Sequence, residues 1–122
     1  MVKQSFIEEF KTKYSFEKRQ NESSNIMKKF HDKIPVIVAR TSKHNNVPEI
    51  DKHKFLAPSD ITFGQFVYVI RKRVELTPEK ALFCFVNNSL IATGSMMSEV
   101  YHSNKDKDGF LYITYSGENT FG

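Results

Sequence analysis

The sequence predicts an α+β fold, in which a mixed four-stranded sheet is crossed by one helix and preceded by two further helices. Four segments, at 34–40, 54–58, 81–87 and 109–115, are rich in β-branched or aromatic residues and have the pattern of strands. A strongly periodic helical segment at 62–74 separates the second strand from the third. Two short amphipathic segments precede the first strand and account for the two additional helices.

Two helices are predicted in the first 30 residues. Ser5 and Glu8 have the spacing of a capping box, so a first helix begins after Ser5. Its apolar face includes Phe10. Ser15 opens the second helix, and Ile26 lies on the apolar stripe of that helix.

The central segments predict a β-hairpin followed by the crossing helix. Pro35 cannot donate a ladder hydrogen bond, so it belongs at the start of its strand or at an edge. The strand at 54–58 is short and ends in Pro58, which is typical of an edge strand. Thr62 and Gln65 form a second capping box at the start of the crossing helix. The apolar positions of this helix follow the helical repeat and are Phe63, Phe66, Val67, Ile70 and Val74.

The remaining segments complete the order of elements. Residues 81–87 form a continuous apolar run, which is typical of a strand buried on both faces. A brief helix is predicted at 95–101, and a turn at 105–109 leads into the last strand. Apart from the first two helices, this order is that of the β-grasp of ubiquitin-like domains.

Composition indicates a small globular domain of a reducing compartment. With 122 residues the chain has room for one domain with a modest core. The mean hydropathy is −0.46, no apolar run approaches the ~20 residues of a membrane span, and the N-terminal residues do not resemble a signal peptide. The single cysteine, Cys84, cannot form an internal disulfide, so we expect a cytosolic or nuclear protein with Cys84 in the core.

The charge pattern leaves several functions open. The first 60 residues carry 12 Lys and Arg against 8 Asp and Glu, which accounts for the whole net charge of +4. This half would attract acidic partners, or it is a solvated surface of ordinary solubility. The pI of about 9.2 and the aromatic run at 82–86 also suggest a small RNA-binding α/β domain. The Lys/Arg-Gly pair that precedes such aromatics in RNA-recognition strands is missing.

The sequence contains no catalytic or cofactor motif that we recognise. A nucleophile elbow, a phosphate-binding loop and a dinucleotide fingerprint are all absent, so no motif points to a catalytic activity or to a bound cofactor. The four histidines lack metal-ligand spacing and are expected at the surface, so no metal site is predicted.

Eight short motifs occur in an order and at a spacing that are shared with a known family. They are Phe16-Glu17-Lys18-Arg19, Ile34-Pro35-Val36-Ile37-Val38, Lys54-Phe55-Leu56-Ala57-Pro58-Ser59-Asp60, Gly64-Gln65-Phe66, Ile70-Arg71-Lys72-Arg73, Ala81-Leu82-Phe83, Phe85-Val86-Asn87-Asn88 and Asp108-Gly109-Phe110-Leu111-Tyr112. On these motifs the chain resembles the autophagy ubiquitin-like modifiers, which include autophagy-related protein 8, the GABA-receptor-associated proteins and microtubule-associated protein light chain 3. The resemblance runs from Phe10 to Gly122 and implies a single ubiquitin-like domain over 1–122. Its parts would be an N-terminal helical extension at 1–30, a β-grasp core at 31–115 and a flexible conjugation tail at 116–122.

The resemblance implies a modifier and not a catalyst. The carboxylate of Gly122, a residue without a side chain, would be adenylated, passed between activating and conjugating enzymes as a thioester, and joined to the amine of phosphatidylethanolamine. The protein would be cytoplasmic before lipidation and would lie on autophagosome or vesicle membranes after it. A cysteine protease would trim any residues after this glycine and would also remove the lipid. Phe83 and Phe85 match positions that the processing and conjugation enzymes recognise.

The resemblance also implies peptide capture. Cargo receptors and autophagy proteins would present an aromatic residue, two variable residues and then Leu, Ile or Val, often beside acidic residues, and would add a strand to a sheet edge. The first pocket would consist of Glu22, Ile26, Pro35, Ile37, Lys54, Leu56 and Phe110. The second pocket would consist of Phe55, Ala57, Pro58, Ile61, Phe66, Val69 and Ile70. The acidic flank would meet Lys52, Lys54, Arg71 and Arg73. Tubulin or microtubules are a further implied partner, and nucleic acid is not expected.

Other interpretations of these residues stay open at this point. Periodicity alone would place Ile26, Leu56, Phe66 and Val69 in the core, and only the resemblance moves them to a groove. Ala57 is smaller than the valine common at that position in the family, which predicts a roomier second pocket. A peptide-binding β-grasp module that is never conjugated is a further alternative.

Overall fold

The computed structural model describes residues 5–41 and 47–118. Within these ranges the chain forms four helices and five strands. In chain order they are α1 (Phe6–Lys13), α2 (Phe16–Lys29), β1 (Lys33–Arg40), β2 (Lys54–Pro58), α3 (Phe63–Val74), β3 (Phe83–Val86), β4 (Ser89–Leu90), α4 (Met97–Asn104) and β5 (Leu111–Ser116). The predicted α+β class and the order of the predicted elements are confirmed, and β2 has its predicted bounds.

The strands form one mixed sheet in the order β2-β1-β5-β3-β4. β1 and β5 are parallel neighbours at its centre, and the other pairs are antiparallel. Pro35 lies where β1 pairs with β2, before the pairing of β1 with β5 begins at Val36. Its missing N–H therefore leaves the central ladder intact.

A fifth strand extends the sheet beyond the four that the sequence predicts. Asn87 and Asn88 have φ values of 51° and 62°, the left-handed pair that a tight hairpin turn needs. The turn returns the chain so that Ser89 and Leu90 pair with β3. Two residues are too few to show a strand pattern, so the sequence does not predict this strand.

Because successive side chains of each strand point to opposite faces of the sheet, the buried apolar residues form two clusters, one on each face. Val36, Val38 and Ile113 belong to the larger cluster, which α3 and α4 cover. Ile37 and Phe110 belong to the smaller cluster, together with Phe10 of α1. The N-terminal helix α1 and the crossing helix α3 therefore lie on opposite faces of the sheet.

The helix starts differ in how far local sequence determines them. Thr62 and Gln65 make the predicted reciprocal capping box at the start of α3. By contrast, α4 spans Met97–Asn104 and not 95–101, and its N-cap Met96 makes no side-chain hydrogen bond. The amide of Met97 donates instead to the carbonyl of Ile61 at 2.8 Å. A tertiary contact therefore fixes where α4 begins, which is why the sequence misplaced it.

A buried polar network fastens α2 to the loop before β5. The Asp108 carboxylate is 0 % exposed, and it accepts hydrogen bonds from Arg19 Nη1 at 2.7 Å, from Tyr112 Oη at 2.5 Å and from the Phe110 amide at 2.9 Å. Burial, together with the adjacent Asp108 carboxylate, raises the pKa of Tyr112 well above its usual value. The phenol therefore stays a donor, and the network holds the second helix on the sheet.

Two predictions about single residues have different outcomes. His53 is half-buried and not at the surface, because its ring stacks on Phe6 with centroids 3.7 Å apart and Nδ1 lies 2.8 Å from the carbonyl oxygen of Val38. Cys84 is a core residue as predicted, and burial raises the pKa of its thiol to about 12. Its thiol therefore stays protonated and unreactive at neutral pH.

In residues 5–41 and 47–118, no helix has the length and apolar character needed to cross a bilayer, and no three His, Cys, Asp or Glu side chains are grouped in a way that would hold a metal ion.

Candidate peptide-binding edge

Strand β2 forms one edge of the sheet. Its pairing partner among the described residues is β1, in a short antiparallel ladder of five residue pairs. An edge strand exposes backbone N–H and C=O groups on its outer side, and these can pair with an additional extended segment. The predicted docking strand therefore has the position in the sheet that strand addition requires.

The register of β2 divides the predicted pocket residues between the two faces of the sheet. Leu56 is opposite Pro35 and Lys54 is opposite Ile37, and directly opposite residues share a face. Lys54 and Leu56 therefore face the side of α1 and α2. Phe55 alternates with them and faces α3. The two predicted pockets thus lie on opposite faces of one edge strand.

A cavity of about 270 Å³ lies beside β2 and is bordered by Ile26 of α2. Its lining residues are Ile26, Val36, Lys52, Lys54, Phe55, Leu56 and Phe110. Four of these, Ile26, Lys54, Leu56 and Phe110, were expected in the first pocket. Leu56 is 42 % exposed and is therefore available to a ligand, contrary to the core position that periodicity alone suggested.

Ile37 and Glu22 of the first set lie beneath or beside this cavity, next to the lining residue Phe110. Ile37 and Phe110 are fully buried with Phe10, whose ring meets that of Phe110 edge-to-face at 5.8 Å. These aromatic and aliphatic side chains form a buried floor. Glu22 does not line the cavity, but its carboxylate accepts from Lys54 Nζ at 2.9 Å. The structure therefore brings most of the first set together.

The second set is divided between surface and core. Phe55 meets Phe66 edge-to-face at 5.8 Å, and Phe66, Ala57 and Ile70 are all buried. Val69 is 42 % exposed, whereas Phe55, Pro58 and Ile61 are half-buried. A ligand on this face would contact the partly exposed residues, which are Val69, Phe55, Pro58 and Ile61. The buried side chains of Phe66, Ala57 and Ile70 would form the floor beneath it.

The four cations expected at the acidic flank do not form one group. Arg73 Nε donates to Asp51 at 2.8 Å, beside Lys52, whose ammonium lies over the Phe55 ring. Arg71 donates instead to the carbonyl of Thr77 at 3.3 Å. Two positions along a helix differ by about 200°, so Arg71 and Arg73 point to different sides of α3. Lys52, Lys54 and Arg73 therefore lie near β2, and Arg71 lies away from it.

The residues matched to enzyme recognition lie on β3. Phe83 is half-buried, and Phe85 is only 3 % exposed. An RNA-recognition strand presents such aromatic rings to solvent so that bases can stack on them. The burial of Phe85 disfavours that alternative. Gly122, the predicted conjugation residue, lies outside the described residues, as do His44 and most of the predicted tail.

Comparisons with known proteins agree with this geometry. The family model described as "Autophagy protein Atg8 ubiquitin like" matches residues 18–122. Autophagy-related protein 8 of Vanderwaltozyma polyspora is 62 % identical over 113 residues, which cover 93 % of this chain and 95 % of that protein. Autophagy-related protein 8A of Oryza sativa subsp. indica is 60 % identical, with coverage of 93 % and 94 %. The crystal structure of Trypanosoma brucei ATG8 superposes with a TM-score of 0.84 at 42 % identity, and the match covers 93 % of this chain and 97 % of that one.

Proposed function

Because the chain belongs to the Atg8 family of ubiquitin-like autophagy proteins, we propose that it is a modifier conjugated through Gly122 to phosphatidylethanolamine. The family match extends over Gly122 itself, which supports this residue as the attachment point. The chain is the substrate of activating and conjugating enzymes, and a cysteine protease releases it. Conjugation moves it from the cytoplasm to autophagosomal membranes, because the two acyl chains of the lipid provide a stable anchor.

The second part of the proposed function is the recruitment of cargo receptors and autophagy proteins through β2. The observation that carries it is the edge position of β2, with an apolar surface on each face of the strand. Leu56 marks the first surface and Val69 the second, and both side chains are substantially exposed. An extended peptide that pairs with β2 continues the sheet and reaches both surfaces.

The geometry of an added strand explains the spacing of the recognition motif. Successive side chains of a strand point to opposite faces, so residues three positions apart also point to opposite faces. An aromatic residue and an aliphatic residue with two residues between them therefore reach the two different surfaces beside β2. With only one residue between them, both side chains would point to the same face and leave the other surface empty.

The cations that acidic residues of the peptide would meet are already in ion pairs within the protein. Lys54 is held by Glu22 and Arg73 by Asp51, in exposed ion pairs of 2.9 Å and 2.8 Å. Exposed ion pairs of this kind contribute only ~0.2–1 kcal/mol, so a peptide carboxylate can replace either internal partner at little cost. Affinity for an acidic flank therefore falls as salt concentration rises.

The peptide-binding part is tested by chemical-shift mapping with a synthetic aromatic-x-x-aliphatic peptide. We expect the largest shifts at β2 and at residues Leu56 and Val69. The matched control has the same residues with one variable position removed, and it should bind much more weakly. Shifts that avoid β2, or equal binding of both peptides, would contradict the proposed mode.

The conjugation part is tested in the source cell with Gly122→Ala. The variant should stay unlipidated and diffuse, while its peptide affinity should be unchanged, because β2 and its surroundings lie in the folded body. Lipid-linked and punctate variant protein would exclude Gly122 as the attachment point. A wild-type chain that binds peptides but gives no conjugate with the enzymes supplied would favour the unconjugated module.

A further inference from the structure

We propose that Thr77 is a phosphorylation site for a protein kinase that recognises proline at the next position and a cation three positions on. Of the four prolines in the sequence, Pro78 alone follows a residue with a hydroxyl group. Lys80 stands three residues after Thr77, so Thr77-Pro78-Glu79-Lys80 provides both elements of this recognition pattern.

The structure makes this segment accessible. Thr77, Pro78, Glu79 and Lys80 are all exposed and lie in a turn between α3 and β3. Among the described residues, the Thr77 hydroxyl has no hydrogen-bond partner, and only the backbone carbonyl of Thr77 is engaged. The acceptor oxygen is therefore free to enter an active site.

The turn can adopt the extended form that a kinase groove requires. It is closed by one backbone hydrogen bond, from the Lys80 amide to the Thr77 carbonyl at 3.0 Å, and by the Arg71 guanidinium on the same carbonyl at 3.3 Å. The four residues from Thr77 to Lys80 contribute no side chain to either apolar cluster. Opening the turn therefore leaves the core intact.

The reaction is an ordinary phosphoryl transfer. The bond between the terminal phosphorus of ATP and its bridging oxygen breaks, and a new phosphorus–oxygen bond forms to Thr77 Oγ1. ADP leaves, and the hydroxyl proton passes to the catalytic carboxylate of the kinase. The product carries a charge of about −1.5 to −2 at neutral pH.

The protein holds a partner for the new charge. The Arg71 guanidinium already reaches the Thr77 carbonyl, so it can turn to the phosphate and form a charge-assisted hydrogen bond. Lys80 adds a second nearby cation, while Glu75 and Glu79 are the nearby acidic residues of the same segment. Because Arg71 points away from Lys52 and Lys54, this modification leaves peptide binding at β2 unchanged.

The site is tested with a purified cyclin-dependent kinase and ATP on the folded chain, followed by intact mass and peptide mapping. We expect one added phosphate at Thr77 in the wild type and in Thr93→Ala, which removes an exposed threonine that no proline follows. Thr77→Ala and Pro78→Ala should stay unmodified, and Lys80→Ala should react more slowly. An unmodified wild type, or a Thr77→Ala variant that still gains phosphate, would overturn the assignment.

The pairing with Arg71 is tested on the phosphorylated protein by a phosphorus NMR titration. The phosphate pKa, about 6 without a partner, should be lower in the wild type than in Arg71→Gln, and Arg71→Lys should lie between them. Equal midpoints in all three would refute the pairing. None of these measurements involves lipid conjugation or peptide binding, so their failure would leave the proposed function untouched.

Discussion

Leu56→Ala removes the apolar side chain that faces the cavity beside Ile26 and Phe110. Fully burying a leucine side chain contributes about 1.5–3 kcal/mol, so covering the 42 % that is still exposed contributes about 0.6–1.3 kcal/mol to peptide binding. That figure corresponds to roughly a threefold to ninefold rise in Kd. Truncating a central apolar anchor of an interface often costs more than 1 kcal/mol of binding free energy, because the partner side chain also loses its pocket. We therefore expect a loss of about 1–3 kcal/mol.

The assay is titration calorimetry with the aromatic-x-x-aliphatic peptide. Leu90→Ala is the matched control, since Leu90 is 52 % exposed on β4 at the opposite edge of the sheet. The two variants delete the same atoms from sites of similar burial, so they should lose similar amounts of folding stability. Only Leu56→Ala should weaken the peptide.

An unchanged Kd in Leu56→Ala would refute the assignment of this cavity to the peptide. An equal loss in Leu90→Ala would show that the effect is not specific to the β2 edge. A thermal unfolding scan of both variants separates these results from a loss of folded protein.

Substitutions at Glu22, Asp108 and Tyr115 each test one contact of the structure. Glu22→Gln frees Lys54 and should strengthen binding of a peptide with an acidic flank, but not of one with a neutral flank, as measured by calorimetry at low salt. Asp108→Asn leaves Arg19 buried without its counter-charge and should cost about 3–5 kcal/mol of unfolding free energy in urea titrations. Burial raises the pKa of Tyr115 to about 12, whereas an unfolded tyrosine titrates near 10. The stability due to the neutral phenol is therefore complete below pH 10 and is lost as pH rises through 12, and Tyr115→Phe should lack this loss.

Each of these predictions has a direct check. Asp106→Asn changes a partly exposed neighbour of the network and should cost much less than Asp108→Asn, and equal costs would contradict the role given to burial. Equal gains of Glu22→Gln for acidic and neutral peptides would show that Lys54 is not the group released. Parallel stability profiles of Tyr115→Phe and the wild type between pH 9 and 12 would contradict the linkage.

The sequence predicted the elements that local chemistry specifies. Nearby residues determine the bounds of β2 and the capping box of Thr62 and Gln65, and both occur in the structure as predicted. The start of α4 depends on a hydrogen bond from the Met97 amide to the Ile61 carbonyl and has no local signal. The two-residue strand β4 depends on β3 beside it, and only its Asn87-Asn88 turn could have indicated it.

The candidate site was accessible from the sequence mainly through family resemblance. Periodicity cannot distinguish Leu56, which is exposed at an edge, from Phe66, which is buried under the same strand. That difference depends on the strand order, which places β2 outermost. The separation of Arg71 from Arg73 was, by contrast, predictable from helical geometry alone, because residues two apart lie on different sides. The network around Asp108 joins residues 89 positions apart, and no local pattern could have indicated it.

Intact mass spectrometry tests whether the chain is joined to lipid through Gly122. The wild-type chain and Gly122→Ala are incubated with activating and conjugating enzymes, ATP and liposomes that contain phosphatidylethanolamine. We expect the wild type to gain the mass of one phosphatidylethanolamine less one water, with fragmentation assigning the adduct to Gly122, and we expect the variant to stay unmodified. A wild-type chain that keeps its original mass, or an adduct at another residue, would exclude attachment through Gly122.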